Sequence, residues 1–269
     1  MKKSISILGT GWLGLPLGIH LRNKGFEING SIRNPNNLEV LRSNGINPFL
    51  LDFEETNSLV NLKSFLASTN TLIISIPPSG QSNYSALFRP LIVCLKALAK
   101  LPQIVFISST SIYGDAGHFD EESKQFSVKP RAQQILDAEN LFIETFPENT
   151  IVLRLAGLAG PGRNPGRFLA GKLDVQNPNG PVNFIHLADC IEIITQLIQE
   201  SVPKGIFNVC APKHPGRRAF YTLHSTQLSL EAPRFITDNN GSSKIIDANK
   251  ITDRLNYTFI YPDPMYFEF

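Results

Sequence analysis

Ile5-Ser6-Ile7-Leu8-Gly9-Thr10-Gly11-Trp12-Leu13-Gly14 is the stretch whose reading decides the fold. Ile5 to Leu8 is an apolar run, broken only by Ser6, that reads as a buried strand. Gly9 ends it, and Leu13–Lys24 continues with helix-like apolar spacing. Gly9 permits a tight turn, Gly11 lets the backbone approach a ligand, and Gly14 lets helix and strand pack closely. Such a turn aims the unpaired N–H groups of a helix N-terminus at an anion, and the helix dipole favours negative charge there. The spacing G-x-G-x-x-G is weak as a bare pattern. Here it follows a strand, opens a helix and precedes a second strand, the context of a dinucleotide pyrophosphate site. Gly9, Thr10, Gly11, Trp12, Leu13 and Gly14 are therefore the candidate contacts.

Outward from this stretch, short apolar runs alternate with helical patterns. Ser4–Leu8, Phe26–Ser31, Pro48–Leu51, Thr71–Ile76, Ile104–Ser108 and Ile151–Leu155 read as buried strands. Leu13–Lys24, Leu38–Asn44, Leu59–Ser68, Tyr84–Lys100 and Ala132–Phe146 read as the helices between them. This alternation predicts an α/β fold, a Rossmann doubly wound parallel sheet covered on both faces. After Leu155 the chain turns rich in Gly, Pro, Arg and Asn up to Gly180. A strand (Val182–Ile185), a helix (Leu187–Glu200) and a strand (Ile206–Val209) then resume the alternation. The expected division is a Rossmann domain of residues 1–155 plus 182–210 and a small substrate lobe of residues 156–181 plus 211–269. In that lobe a helix is expected near Asp247–Leu255.

The second strand ends Asn29-Gly30-Ser31-Ile32-Arg33-Asn34. An NAD site usually carries Asp or Glu there for the ribose hydroxyls. Ser31 and Arg33 suit a 2′-phosphate that an acid would repel, which favours NADP over NAD.

Composition bounds the remaining classes. The chain has 269 residues, 42% hydrophobic and 18% charged, with a net charge of +2 spread along it. No basic stripe points to nucleic acid. The run Asp120-Glu121-Glu122 reads as a solvated loop. Cys94, Cys190 and Cys210 are far apart in apolar segments and read as buried, reduced thiols rather than metal ligands. No segment reaches membrane-spanning length, and the apolar run behind Met1-Lys2-Lys3 is too short for a signal peptide, so a cytoplasmic protein is expected.

Four further segments resemble the extended short-chain dehydrogenase/reductase family, the NAD-dependent epimerase/dehydratase group. Phe106-Ile107-Ser108-Ser109-Thr110-Ser111-Ile112-Tyr113-Gly114 is similar to that family's fifth strand and the loop after it. Leu153-Arg154-Leu155-Ala156-Gly157 with Gly160-Pro161-Gly162 resembles its sixth-strand segment. Asn183-Phe184-Ile185-His186-Leu187-Ala188-Asp189 resembles the return from its substrate lobe, and Phe207-Asn208-Val209 its last sheet strand. The resemblance implies Asp52, Ile76 and Pro77 as further cofactor contacts. It implies Ser109 as the hydroxyl that bonds the reacting oxygen, with Thr110, Ser111, Arg163 and Arg167 towards an unidentified small-molecule substrate. It leaves a homodimer open, and it assigns Tyr113 to packing.

Two departures bear on activity. The glycine loop is one residue shorter than the family's usual G-x-x-G-x-x-G. The family's Tyr-x-x-x-Lys pair is missing: with Pro130 and Glu139 as landmarks, Arg131 stands in place of Tyr and Ile135 in place of Lys, and no tyrosine in the chain is followed four residues later by Lys. That pair moves the proton that accompanies hydride transfer. Arg131 can stabilise an oxyanion but not shuttle protons. His118 and Asp115 are the nearby substitutes for the missing acid, whereas His186 and Asp189 read first as structural groups at a strand–helix junction. Three readings follow. The first is an NADP(H)-dependent oxidoreductase or epimerase-like enzyme with non-standard acid–base residues, and the second a non-catalytic NAD(P)-binding sensor or scaffold. The third is a reductase resembling the hydroxyacid dehydrogenases, which requires an all-helical second half.

Overall fold

A computed structural model describes residues 3–53, 58–78, 83–200, 202–237, 241 and 243–269, without the side chains of 58 and 59. Met1 and Lys2, which enter the readings above, lie outside the described residues. The chain divides into two compact units: residues 1–108, 129–153 and 198–206, and residues 109–128, 154–197 and 207–269.

The strands are β1 (Ser4–Leu8), β2 (Glu27–Ile32), β3 (Asn47–Leu50), β4 (Thr71–Ile74), β5 (Gln103–Ser109), β6 (Gly117–Phe119), β7 (Thr150–Leu155), β8 (Gly157–Ala159), β9 (Phe184–His186), β10 (Gly205–Val209) and β11 (Lys244–Ile246). The helices are α1 (Gly14–Asn23), α2 (Leu38–Ser43), α3 (Ser58–Leu66), α4 (Arg89–Lys96), α5 (Pro130–Thr145), α6 (Gly166–Leu169), α7 (Leu187–Gln199), α8 (Arg217–Gln227) and α9 (Asn249–Leu255). Seven strands form one parallel sheet in the order β10-β7-β5-β4-β1-β2-β3. Strand order reverses between β1 and β4, so a crevice opens beyond the carboxyl ends of those two strands.

The sequence accounts for this sheet directly. β1, β4 and β7 are buried along their whole length, as continuous apolar strands covered on both faces must be. The first unit's core joins Leu8, Leu72, Ile74, Ile104, Phe106 and Val152 of the sheet to Phe65, Leu91, Leu95, Ala138 and Phe142 of the covering helices. The expected helix Tyr84–Lys100 begins as a 3-10 turn over Ser85–Phe88 and stops at Lys96, with Pro90 in its first α-helical turn. A proline fits that position because its missing N–H would be unpaired there anyway.

The second unit is mixed. β8 pairs with β9 and β6 with β11, each a parallel two-stranded sheet outside the main one. The strand expected at Val182–Ile185 is thus β9, and its partner is β8 rather than a strand of the seven. α8, which the sequence left unassigned, packs Phe220 and Tyr221 against Ala159, Val182, Phe184 and Phe267. Five strands run through residues 150–269, so the dehydrogenase reading that needed an all-helical second half is set aside. Glu121, expected in a solvated loop, is buried and accepts a hydrogen bond from the Asn208 N–H at 2.7 Å. The three cysteines are buried and unbridged, and burial pushes each thiol pKa up.

Candidate functional site

The glycine loop takes its shape from contacts that only these residues permit. Gly9 has φ +99°, and a Cβ there would lie 2.8 Å from the Ser75 carbonyl oxygen at the end of β4. A Cβ on Gly14 would overlap the Gly9 carbonyl. A Cβ on Gly11 would meet nothing within 4 Å, so that residue borders open space. β2 ties the loop down. The Gly9 N–H donates to Ser31 Oγ at 2.9 Å, while the Thr10 N–H and hydroxyl donate to the Ser31 carbonyl at 3.0 and 2.7 Å. The α1 ladder opens with the Leu15 N–H donating to the Gly11 carbonyl at 3.0 Å.

Around this loop the first unit has a cleft of about 370 Å³. It brings together Gly9, Thr10, Gly11, Ser31, Arg33, Asp52, Ile76 and Pro77. Trp12, Leu13 and Gly14 do not line it: Leu13 and Gly14 are buried, and Trp12 is half-buried. Asn34, Asn37, Leu51, Phe53, Ser75 and Leu87 also line the cleft, and the sequence reading missed them as wall residues. A faint signal existed for the asparagines: Asn34 precedes a proline, and its Oδ1 accepts from the Asn36 N–H at 3.0 Å to start the turn into α2. The Ile76 segment is held from behind by Tyr84, whose hydroxyl donates to the Ile76 carbonyl at 2.5 Å.

Charge and hydrogen-bond donors both line the cleft. Arg33 is exposed at its rim, and Ser31 is buried in its wall. The Ser31 hydroxyl accepts from Gly9, which leaves its proton to donate. Thr10 differs: both of its donors are spent on the Ser31 carbonyl, so it shapes the cleft rather than reading it.

The second unit holds the hydroxyl-rich turn. Ser109 Oγ accepts from the Ser111 N–H at 3.2 Å and starts a 3-10 turn over Thr110–Ile112. Ser111 is exposed, Ser109 half-buried and Thr110 buried. Tyr113 is fully buried: its phenol donates to Asn208 Oδ1 and accepts from Arg154, both at 2.9 Å. Burial raises its pKa and the Arg154 charge opposes that shift, which is the chemistry of a packed phenol rather than an exposed acid. Arg163 and Arg167 are exposed on the loop leading into and through α6. That loop is rigid because Asn164 Oδ1 accepts from the Gly166 N–H at 2.8 Å and Gly166 lies directly against the α8 backbone at His224.

His186 and Asp189 are both tied into the second unit by hydrogen bonds. His186 Nε2 donates to the Glu268 carbonyl at 2.9 Å, so its Nδ1 is the acceptor for the Ala188 N–H at 3.2 Å, and both ring nitrogens are used. Asp189, fully buried, accepts from the Tyr257 hydroxyl and the Ile260 and Tyr261 N–H groups at 2.8, 2.7 and 3.0 Å. His118 is exposed, with Nε2 3.9 Å from Asp247 Oδ2, and Asp115 is exposed nearby in sequence. Arg131 stands exposed in the first turn of α5, in the first unit, whereas Ile135 is buried. Among the described residues no cluster of His, Cys, Asp or Glu could hold a metal ion, and no helix is long and apolar enough to cross a membrane.

Protein YeeZ of Escherichia coli K12 is 37% identical over 277 aligned positions that cover 98% of each chain. The chain belongs to the YeeZ family. No family model matches it. Solved structures similar to this YeeZ relative include a conserved protein of Silicibacter pomeroyi, with TM-score 0.79 and 23% identity, covering 98% of this chain and 96% of that one. They also include dTDP-glucose 4,6-dehydratase of Bacillus anthracis in complex with NAD, with TM-score 0.78 and 14% identity, covering 98% and 94%. The YeeZ-family chain thus has the Rossmann-like fold of the epimerase/dehydratase group, as its sequence motifs implied.

Proposed function

We propose that this YeeZ-family protein binds a nicotinamide dinucleotide in the first-unit cleft, prefers NADP(H) to NAD(H), and acts in the cytoplasm as an oxidoreductase or epimerase-like enzyme with non-standard acid–base residues. One observation carries the reading: the glycine loop, open at Gly11 and closed at Gly14, shares a cleft with Ser31 and Arg33. A pyrophosphate suits the open side, where the start of α1 presents N–H groups and a favourable dipole. A 2′-phosphate suits Ser31 and Arg33, as donor and cation, whereas the hydroxyls of a plain ribose would want an acceptor there. The solved neighbour in complex with NAD has the same fold. When bound, the nicotinamide would accept or deliver hydride.

The chain's own residues would do the rest. The Ser109 hydroxyl would hydrogen-bond the reacting oxygen, with Thr110 and Ser111 beside it in the same turn and Arg163 and Arg167 held on a rigid loop for an anionic group of the substrate. Arg131 would stabilise negative charge without moving a proton. A sensor or scaffold that binds the cofactor without turnover is the second reading. It is favoured by Ile135, a buried apolar side chain at the position where the resemblance to the short-chain dehydrogenases implies a lysine.

Calorimetric titration of NADP(H) and NAD(H) into wild type and Arg33→Ala tests the proposal. Tighter binding of NADP(H), weakened about tenfold by Arg33→Ala while NAD(H) binding holds, is the expected result. If neither dinucleotide binds, both readings fail. If binding is found, a carbonyl and nucleotide-sugar screen followed by NADPH absorbance separates enzyme from sensor.

A further inference from the structure

We propose that Lys244 is a positioning residue: its ammonium fixes the Ser109–Tyr113 turn in the shape that offers Ser109 and Ser111 to a substrate, a role that rests on the substrate-side reading of that turn given above. Lys244 Nζ donates to the Thr110 carbonyl at 2.9 Å and to the Tyr113 carbonyl at 3.1 Å, the first residue of the 3-10 turn and the residue that closes it. It also stands 6.0 Å from the centre of the Tyr113 ring and 5.7 Å from that of Phe119, within cation–π range of both. Bridging two carbonyls while facing two aromatic rings suits a cation with several donors, and lysine's three N–H bonds supply this from a single point.

The post itself is immobilised. β11 pairs with β6 in parallel, with Lys244 opposite Gly117, and the Gly117 N–H donates to the Ser243 carbonyl at 2.8 Å. On its other side the Asn183 side chain behaves as one more strand residue. Its Nδ2 donates to the Lys244 carbonyl at 2.8 Å and its Oδ1 accepts from the Ile246 N–H at 3.0 Å. The turn is gripped at its far end as well, because the Tyr113 phenol is locked between Arg154 and Asn208. Lys244 is thus the link by which the distant segment 243–247 controls the hydroxyl-bearing turn.

Amide hydrogen exchange of the purified full chain, read residue by residue, tests this with Lys244→Met, which keeps the packing, and Lys244→Arg, which keeps the charge and donors. A milder Lys244→Gln variant guards against loss of folding. The Ser111 and Tyr113 amides should exchange about tenfold faster in Lys244→Met, less so in Lys244→Gln, and near the wild-type rate in Lys244→Arg. The α8 amides serve as the control and should not change. Unchanged exchange at Ser111 and Tyr113, failure of arginine to restore protection, or an equal loosening of α8 would each overturn the proposal. The cofactor titration above reports on the first-unit cleft alone, so the two ideas fail separately.

Discussion

Two alanines placed three residues apart in the glycine loop should have opposite consequences. At Gly14 a Cβ would fall closer than 3.0 Å to the Gly9 carbonyl oxygen, and would also lie 3.1 Å from the Gly9 carbonyl carbon and 3.2 Å from Ile7 Cγ2. Two of these obstacles are backbone, so neither can rotate away, and β1 and α1 must separate by roughly an ångström. Overpacking of this kind costs about 1–3 kcal/mol, partly offset by the helix propensity gained on replacing glycine, about 1 kcal/mol. A net loss of about 1 kcal/mol corresponds to roughly 2–4 °C in a chain of this size. At Gly11 a Cβ meets nothing within 4 Å, so Gly11→Ala should keep its melting temperature, within about 0.5 kcal/mol of wild type. The same methyl would stand where a pyrophosphate must approach the backbone, so NADP affinity should fall at least about tenfold, or 1.4 kcal/mol. Scanning calorimetry and isothermal titration of both variants measure the four quantities. A Gly11→Ala protein that binds NADP like wild type would refute the assignment of that open face to the ligand. A Gly14→Ala protein that melts like wild type would refute the packing argument.

Two more outcomes concern the second unit. Asp189→Asn should place an amide against a ring of donors and cost about 3 kcal/mol, seen as a lower urea midpoint and as rapid exchange of the Ile260 and Tyr261 amides; unchanged protection of both would show that the tail is held some other way. Burial raises the Glu121 carboxyl above its ordinary 4.5. Between the unfolded and folded pKa values the folded protein therefore binds more protons, and stability falls as pH rises through that window. Glu121→Gln should flatten this slope in urea titrations carried upward from the ordinary carboxylate range, and equal slopes would count against it.

The stretch Ile5–Gly14 was legible because strand, turn and helix start are local: each follows from neighbours in sequence and from what glycine alone allows. The first strands themselves were legible too, since continuous apolar runs of that length have few other places to be buried. Ser31 and Arg33 could be placed by counting to the end of β2, and both line the cleft. Other features could not be read this way. Asn34, Asn37, Phe53 and Leu87 become cleft walls only when the ends of β1, β2, β3 and β4 converge. Glu121 looked like part of a solvated acidic run, and only the folded chain brings the Asn208 N–H, 87 residues away, to bury it. Lys244 carries no sequence signal at all, because it lies 134 residues beyond the Thr110 carbonyl it holds. The sequence by itself determined the periodic elements and the glycine loop, whose energetics are settled within a few residues. The partners of the buried polar groups were decided by tertiary structure, because a hydrogen-bond donor has no preference among distant carbonyls until packing brings one within reach.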